Sequence, residues 1–295
     1  MLDKIRRSVR AEQIRRSLRD KAARVVEEVV DEVVGRYFVK QVAEVAELRR
    51  EVVELRHQLS GVSGELSGEL RGQADRLLES ASQVEHRARR DLSFAGEAEA
   101  AQLSAGFVRQ HMPAARPFPS PHSTLEHALT LAPQGGMALE FGVYAGTTLK
   151  IIATARGGEA VYGFDSFEGL PETWRSGYPA GTFGVESLPD VPGSELVVGW
   201  FDDVLPGFMA EHPGPVDFLH VDCDLYSSAK TVLDLVGPRL RAGSIVVFDE
   251  YFNYPGWQEH EHRAWMEYVE LKGLRFGYEG YTVDHEQVIV KVTAT

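Results

Sequence analysis

From Met137 onward, short and nearly continuous apolar runs alternate with stretches of helical periodicity, and this alternation constrains the fold more than any other feature of the chain. Residues 137–141, 160–164, 216–221 and 244–248 read as strands buried on both faces, with helices over 147–155 and 227–240. Strands of that kind, separated by helices, belong to a mainly parallel sheet covered on both sides. Residues 276–280 and 287–292 read as a closing pair of strands. The expected fold class is therefore α/β, a doubly wound and mainly parallel sheet over residues 107–295.

The first hundred residues have another texture. They contain no proline and three aromatics, Tyr37, Phe38 and Phe94, and read as helix nearly throughout. Ile5, Val9, Ile14, Leu18, Ala22, Val25 and Val29 form one apolar stripe on a strongly basic stretch. Phe38, Val45, Val52 and Leu59 at heptad position a, with Leu48, Leu55 and Val62 at d, make a short coiled coil interrupted only by Gln41. Gly61, Gly64, Gly68 and Gly72 each cost a helix about 1 kcal/mol relative to alanine, so the coiled coil is expected to end or fray there, with a further helix over 73–90. Residues 1–106 thus read as a helical extension. The extension is expected to pack on its own domain or on a second copy of the chain, and the alternative is peripheral contact of the basic stretch with an anionic membrane surface. Four prolines between His111 and Pro121 mark the passage into the sheet domain.

Charge separates the same two regions. The chain carries a net −13, yet residues 1–100 balance 19 Lys and Arg against 19 Asp and Glu, leaving 12 against 25 in the remainder. An acidic domain argues against a nucleic-acid ligand, because phosphate backbones are held mainly by Lys and Arg. A hydrophobic fraction of 43% supports a sizeable core and excludes collagen-like and wholly disordered classes. No apolar run reaches membrane-spanning length, and the first ten residues lack the apolar stretch of a signal peptide, so a cytoplasmic protein is expected. The single cysteine, Cys223, excludes an internal disulfide and reads as an ordinary buried thiol.

Two motifs suggest a ligand. Glu140-Phe141-Gly142-Val143-Tyr144-Ala145-Gly146 leaves a strand and opens a helix at Thr147, where backbone can approach a ligand closely. Tyr144 stands where a dinucleotide fingerprint has its middle glycine. Asp165 ends the next strand, placed to accept hydrogen bonds from two ribose hydroxyls, so the pair indicates a nucleoside-containing cofactor. A carboxylate at Glu140 suits a sulfonium cation better than a pyrophosphate, which favours S-adenosylmethionine over NAD. The plainer alternative is that the glycines simply end a strand and start a helix.

A second constellation carries chemistry. Asp222 and Asp224 follow the third buried strand in His220-Val221-Asp222-Cys223-Asp224, and Asp249 and Glu250 follow the fourth. Alternation places Asp222, Asp224 and His220 on one side, and the carboxyl ends of adjacent strands bring all four carboxylates together. Such a cluster repels itself and raises its own pKa values unless a hard divalent cation such as Mg²⁺ is bound by its oxygens. The alternative for each carboxylate is a helix cap or a solvated group. His220 reads as a support or substrate contact, or as structural.

Together with 163–172, 199–206 and Phe248-Asp249-Glu250-Tyr251, these motifs resemble the macrocin O-methyltransferase family over about Ala114 to Val292. The resemblance implies a class I methyltransferase fold and a Mg²⁺-dependent, S-adenosylmethionine-dependent enzyme that methylates sugar hydroxyls. Carried over by position, Glu140, Gly142 and Gly146, with Tyr144 and Thr147 beside them, border the methionine portion of the cofactor. Asp165 takes the ribose, and Ser166, Trp200, Phe201 and Asp202 lie on the adenine side. Asp222, Asp249 and Glu250 hold the metal, Asp222 also bordering the cofactor; Asp224 is the general base and His220 assists. Relatives commonly show two aspartates where this chain has Asp249-Glu250. Residues 177–193, rich in glycine and proline, resemble a mobile lid. Two other classes fit parts of the pattern: a metal-dependent glycosyltransferase using Asp222-x-Asp224, and an inactive methyltransferase-like scaffold.

Overall fold

The computed structural model of the protein describes residues 2–294, with the side chains of 2–9, 11, 63 and 88 outside that description; Ile5 and Val9 of the basic stripe therefore lie outside the described residues. The chain divides into two compact units, residues 1–86 and 87–295. The expected boundary at 106/107 falls inside a helix of the second unit.

The first unit is occupied by one helix, α1 (Leu2–Arg90). It runs unbroken through Gly61, Gly64, Gly68 and Gly72, the positions where the coiled coil is expected to end or fray. Glycine lowers helix propensity but leaves the hydrogen-bond ladder intact, and good formers such as Glu65, Leu66, Glu69 and Leu70 separate the four positions, so propagation carries through. Pairs one turn apart support the exposed surface, as between Arg36 and Glu32 at 2.7 Å. The heptad side chains stand open to solvent, Leu48 at 59% and Leu55 at 58% exposure. Among the described residues no helix is long and apolar enough to cross a membrane.

The second unit comprises, in order, α2 (Leu92–His111), β1 (Arg116–Phe118), α3 (Pro121–Leu131), β2 (Met137–Phe141), α4 (Thr147–Arg156), β3 (Val161–Asp165), β4 (Glu195–Val198), α5 (Phe201–Glu211), β5 (Val216–Val221), α6 (Tyr226–Val236), β6 (Leu240–Phe248), α7 (Glu261–Lys272), β7 (Arg275–Thr282) and β8 (Val288–Ala294). The strands form one sheet in the order β1-β7-β8-β6-β5-β2-β3-β4. All pairings are parallel except those of β8 with β6 and β7. The expected strands are present. The helix expected over 227–240 stops at Val236 and gives way to a 3₁₀ turn, Gly237–Arg239, because Pro238 has no N–H to continue the ladder. β1 and β4, three and four residues long, carry too little pattern to be read from sequence.

Alternation along the strands builds two cores. Leu139, Phe141, Leu219, Val221, Val246 and Phe248 face α2, α5, α6 and α7, while Ala138, Phe218, Ile245 and Val247 face α3 and α4. A doubly wound sheet of this kind opens a crevice at the carboxyl ends of its central strands, between β2 and β5, where the connections turn to opposite sides. Because an added Cβ at Gly64 or Gly68 meets nothing within 4 Å, replacing either by alanine is expected to stabilise α1 by about 1 kcal/mol. A thermal melt followed by circular dichroism at 222 nm checks this.

Candidate active site

The glycine turn after β2 is set by close contact rather than by preference alone. Gly142 has φ +94°, and a Cβ there would overlap the carbonyl oxygen of Asp222. Gly146, at φ +75°, is the N-cap residue of α4 and lies under Val191. Asp165, at the end of β3, organises the turn: Oδ2 accepts the N–H groups of Val143 and Tyr144 at 2.8 Å each, and Oδ1 accepts that of Phe167 at 2.7 Å. A carboxylate offers about four acceptor sites, so capacity remains for a hydroxyl.

A cavity of about 650 Å³ opens beside this turn. Its wall carries Gly142, Tyr144, Asp165, Ser166, Trp200, Phe201 and Asp202 together with Asp222, Asp224 and Glu250. Both sequence-derived constellations therefore meet in one space. Gly146, Thr147, Asp249, Glu140 and His220 are not on that wall. From the 177–193 segment, Phe183 reaches the wall and meets Tyr144 edge-on at 5.8 Å. Backbone bonds fasten this segment to the chain before it, from Leu170 to Thr182 and from Val185 to Phe167.

Glu140 departs from its expected place beside the cofactor's sulfonium. Its position on β2 turns the side chain toward the α3/α4 face, where it is fully buried. There it meets His220, its direct partner in the β2–β5 register, with Oε1 2.8 Å from Nδ1. The other ring nitrogen, Nε2, lies 3.5 Å from Asp249 Oδ1. Burial disfavours a charged imidazole, but the bonds to Asp249 and Glu140 outweigh it and hold the His220 pKa well above the ordinary value. An imidazolium between two carboxylates has no free lone pair. Burial likewise pushes Asp249 up, yet its bonds to His220 leave it below the usual carboxylate range. Glu140 stays raised because burial prevails over His220.

The remaining carboxylates lack such a partner. Burial and then Asp249 push Asp222 well above its ordinary value; burial and then Asp224 do the same to Glu250. Asp224 sits at φ +64°, a left-handed conformation aspartate tolerates, and burial with Asp249 raises it to about 7 although Arg175 opposes the shift. Glu261, absent from the sequence reading, is buried behind this group and raised first by burial and then by Asp224. Also missed were Arg175, stacked on Trp174 at 3.9 Å and paired with Glu286 at 3.2 Å. Isolated residues of this kind carry no spacing signal.

The donor set fits a hard cation. Asp222, Asp249 and His220 each bring one potential ligand atom within 4.8 Å of the others. With His220 charged and paired, oxygen donors remain, and Glu250 Oε2 is buried without a hydrogen-bond partner.

Residues 139–251 match a family described as a methyltransferase domain. The chain is also similar to the 8-demethyl-8-(2,3-dimethoxy-α-L-rhamnosyl)-tetracenomycin-C 4′-O-methyltransferase of Streptomyces olivaceus, 29% identical over 39% of this chain and 53% of that protein. It thus spans about half the length of that curated relative. Among solved structures it is similar to a calicheamicin methyltransferase, 26% identical with a TM-score of 0.46 over 58% of this chain and 76% of that one. A second is the O-methyltransferase NovP, 22% identical with a TM-score of 0.45 over 58% and 79%. The unit of residues 87–295 has a mostly parallel sheet flanked by helices.

A carboxyl group raised in the folded state keeps its proton where the unfolded chain releases it, so folding is disfavoured increasingly as pH rises between the two pKa values. For Asp224 that window runs from 3.8 to about 7. In the presence of a chelator, the wild type is therefore expected to lose stability relative to Asp224→Asn as pH rises through this range. Denaturant unfolding at several pH values measures it, and a pH-independent difference would count against the assignment.

Proposed function

We propose that the protein transfers a methyl group from S-adenosylmethionine to a sugar hydroxyl of a glycosylated natural product or glycan, assisted by Mg²⁺ or a similar cation. The observation that carries this reading is the single cavity whose wall joins the Gly142–Asp165 turn to Asp222, Asp224 and Glu250. The methyl-transfer class agrees with the domain family over 139–251. The sugar acceptor agrees with the Streptomyces olivaceus relative, a 4′-O-methyltransferase of a rhamnosyl tetracenomycin.

S-adenosylmethionine, when bound, supplies an electrophilic methyl group on a sulfonium centre. Gly142, without a side chain, allows its backbone close to that ligand. Asp165 orients the turn by accepting hydrogen bonds from the Val143 and Tyr144 N–H groups, accepts a third from Phe167, and offers its remaining lone pairs to ribose hydroxyls. Ser166, Trp200, Phe201 and Asp202 receive the adenine side, and Tyr144 covers the methionine side. Asp222, Asp249 and Glu250 would hold the cation, which when bound supplies a Lewis acid that lowers the pKa of a coordinated hydroxyl. Asp224 accepts the hydroxyl proton: it is on the cavity wall, and a pKa of about 7 suits a base working near neutrality. His220, off the wall, orients Asp249 and balances its charge.

Isothermal titration with S-adenosylmethionine and S-adenosylhomocysteine, with Mg²⁺ and with a chelator, tests the cofactor; binding of neither under both conditions overturns the reading. With a glycoside acceptor in hand, Asp224→Asn is expected to keep cofactor and metal binding while losing turnover by about 10²–10⁴-fold. Unchanged turnover removes Asp224 as the base. Asp222→Ala is expected to abolish metal dependence and activity together.

For α1 we propose self-association of two or more copies through the heptads between Phe38 and Val62, whose apolar side chains are exposed along the helix. Light scattering of the full chain and of a Leu48→Glu, Leu55→Glu variant is expected to give a smaller mass for the variant. Equal masses would defeat the idea.

A further inference from the structure

We infer that Glu261, the first residue of α7, is a positioning residue that sets the spacing of the Asp222 and Asp249 carboxylates by bracing the two backbones that carry them. The inference rests on the reading above that these carboxylates hold a divalent cation. Glu261 itself lies off the cavity wall and is 0% exposed, so it acts through its neighbours.

The geometry begins where β5 and β6 stop pairing. Val221 faces Phe248 in the last register pair, and the bond from Asp249 N–H to the Val221 carbonyl, 2.8 Å, ends the ladder. Beyond it the two chains continue toward the cavity as Asp222-Cys223-Asp224 and Asp249-Glu250. The amides of Cys223 and Glu250 donate across to one carboxylate instead. Glu261 Oε1 accepts the Cys223 N–H at 3.4 Å, and Oε2 accepts the Glu250 N–H at 3.1 Å. Each donor immediately follows a candidate ligand, Asp222 or Asp249.

One side chain thus spans the gap left by the strand ladder, and its chemistry is selective. An apolar residue would leave two buried N–H groups unpaired. Glutamine has a single acceptor oxygen, so its amide NH₂ would confront one of the two donors. A carboxylate alone among side chains of this length presents two acceptor oxygens to two separate amides. Burying a further carboxyl group behind Asp222, Asp224 and Glu250 is unfavourable unless its oxygens are hydrogen-bonded, and the two amides bond both of them. Metal sites depend on such supporting groups, and their loss typically weakens metal affinity by about 10–100-fold.

The test uses the full chain. Glu261→Gln is expected to weaken Mg²⁺ binding by about tenfold or more in isothermal titration, while S-adenosylhomocysteine affinity, read in the same protein, stays unchanged. Wild-type affinity for Mg²⁺ in the variant overturns the brace. Hydrogen exchange on the metal-free wild type gives a second reading that needs no variant: the Cys223 and Glu250 amides are expected to exchange slowly. If both exchange as fast as open-loop amides, the brace is refuted even where Glu261→Gln fails to fold. A wild type that takes up no Mg²⁺ refutes the cation reading itself, and the two failures are distinguished because slow exchange of those amides would persist.

Discussion

Like-charge repulsion at the carboxyl ends of β5 and β6 is the constraint on which the site depends. Asp222, Asp224, Asp249, Glu250 and Glu261 converge there, and burial removes the water that would screen them. The chain offers two cationic answers of its own. His220 joins Glu140 and Asp249 beneath the site, and Arg175, tied to Glu286, opposes the rise at Asp224. His220 also reaches Asp222, but burial and Asp249 prevail there, and both Asp222 and Glu250 remain raised well above the ordinary carboxylate range. On the proposed reading a divalent cation would supply the missing charge, and the Glu261 brace would keep the repelling groups from moving apart.

The fold delivers these groups through sheet register. Glu140 and His220 are opposite one another on β2 and β5, and Asp249 lies two residues beyond Val247, the β6 partner of His220. A polar row therefore crosses three parallel strands on one face of the sheet, while Leu139, Phe141, Leu219 and Val221 fill the other. The same register brings the Asp222 carbonyl against Gly142, so the cofactor turn and the acidic end of β5 are packed as one body. A side chain at residue 142 would separate them.

Much of this was readable from sequence because it rests on local periodicity. Buried strands announce themselves as apolar runs, and the positions just beyond them, Gly142, Asp165, Asp222, Asp224 and Glu250, are carried to the cavity by the topology alone. What could not be read depends on side-chain direction or on distant contacts. Glu140 looks like a cofactor contact in a glycine motif, but strand alternation turns it to the opposite side, toward His220. Glu261 and Arg175 belong to segments without repeating pattern and act on residues tens of positions away. In the glycine-bearing part of α1, flanking helix carries through all four positions.

The different surroundings of Asp222 and Asp224 follow from backbone conformation. On a continuing strand, two residues apart would point the same way and share one environment. The strand ends at Val221, and Asp224 enters the left-handed region at φ +64°. Asp222 and Asp224 both feel Asp249, but Asp222 has His220 beside it whereas Asp224 has Arg175 and Glu286. Two chemically identical carboxylates thereby acquire different neighbours, and environment, not residue type, assigns acid–base roles in such sites. The group facing His220 and Asp249 is suited to charge and coordination. The other, opposed by a single guanidinium and held near neutrality, is suited to exchanging a proton.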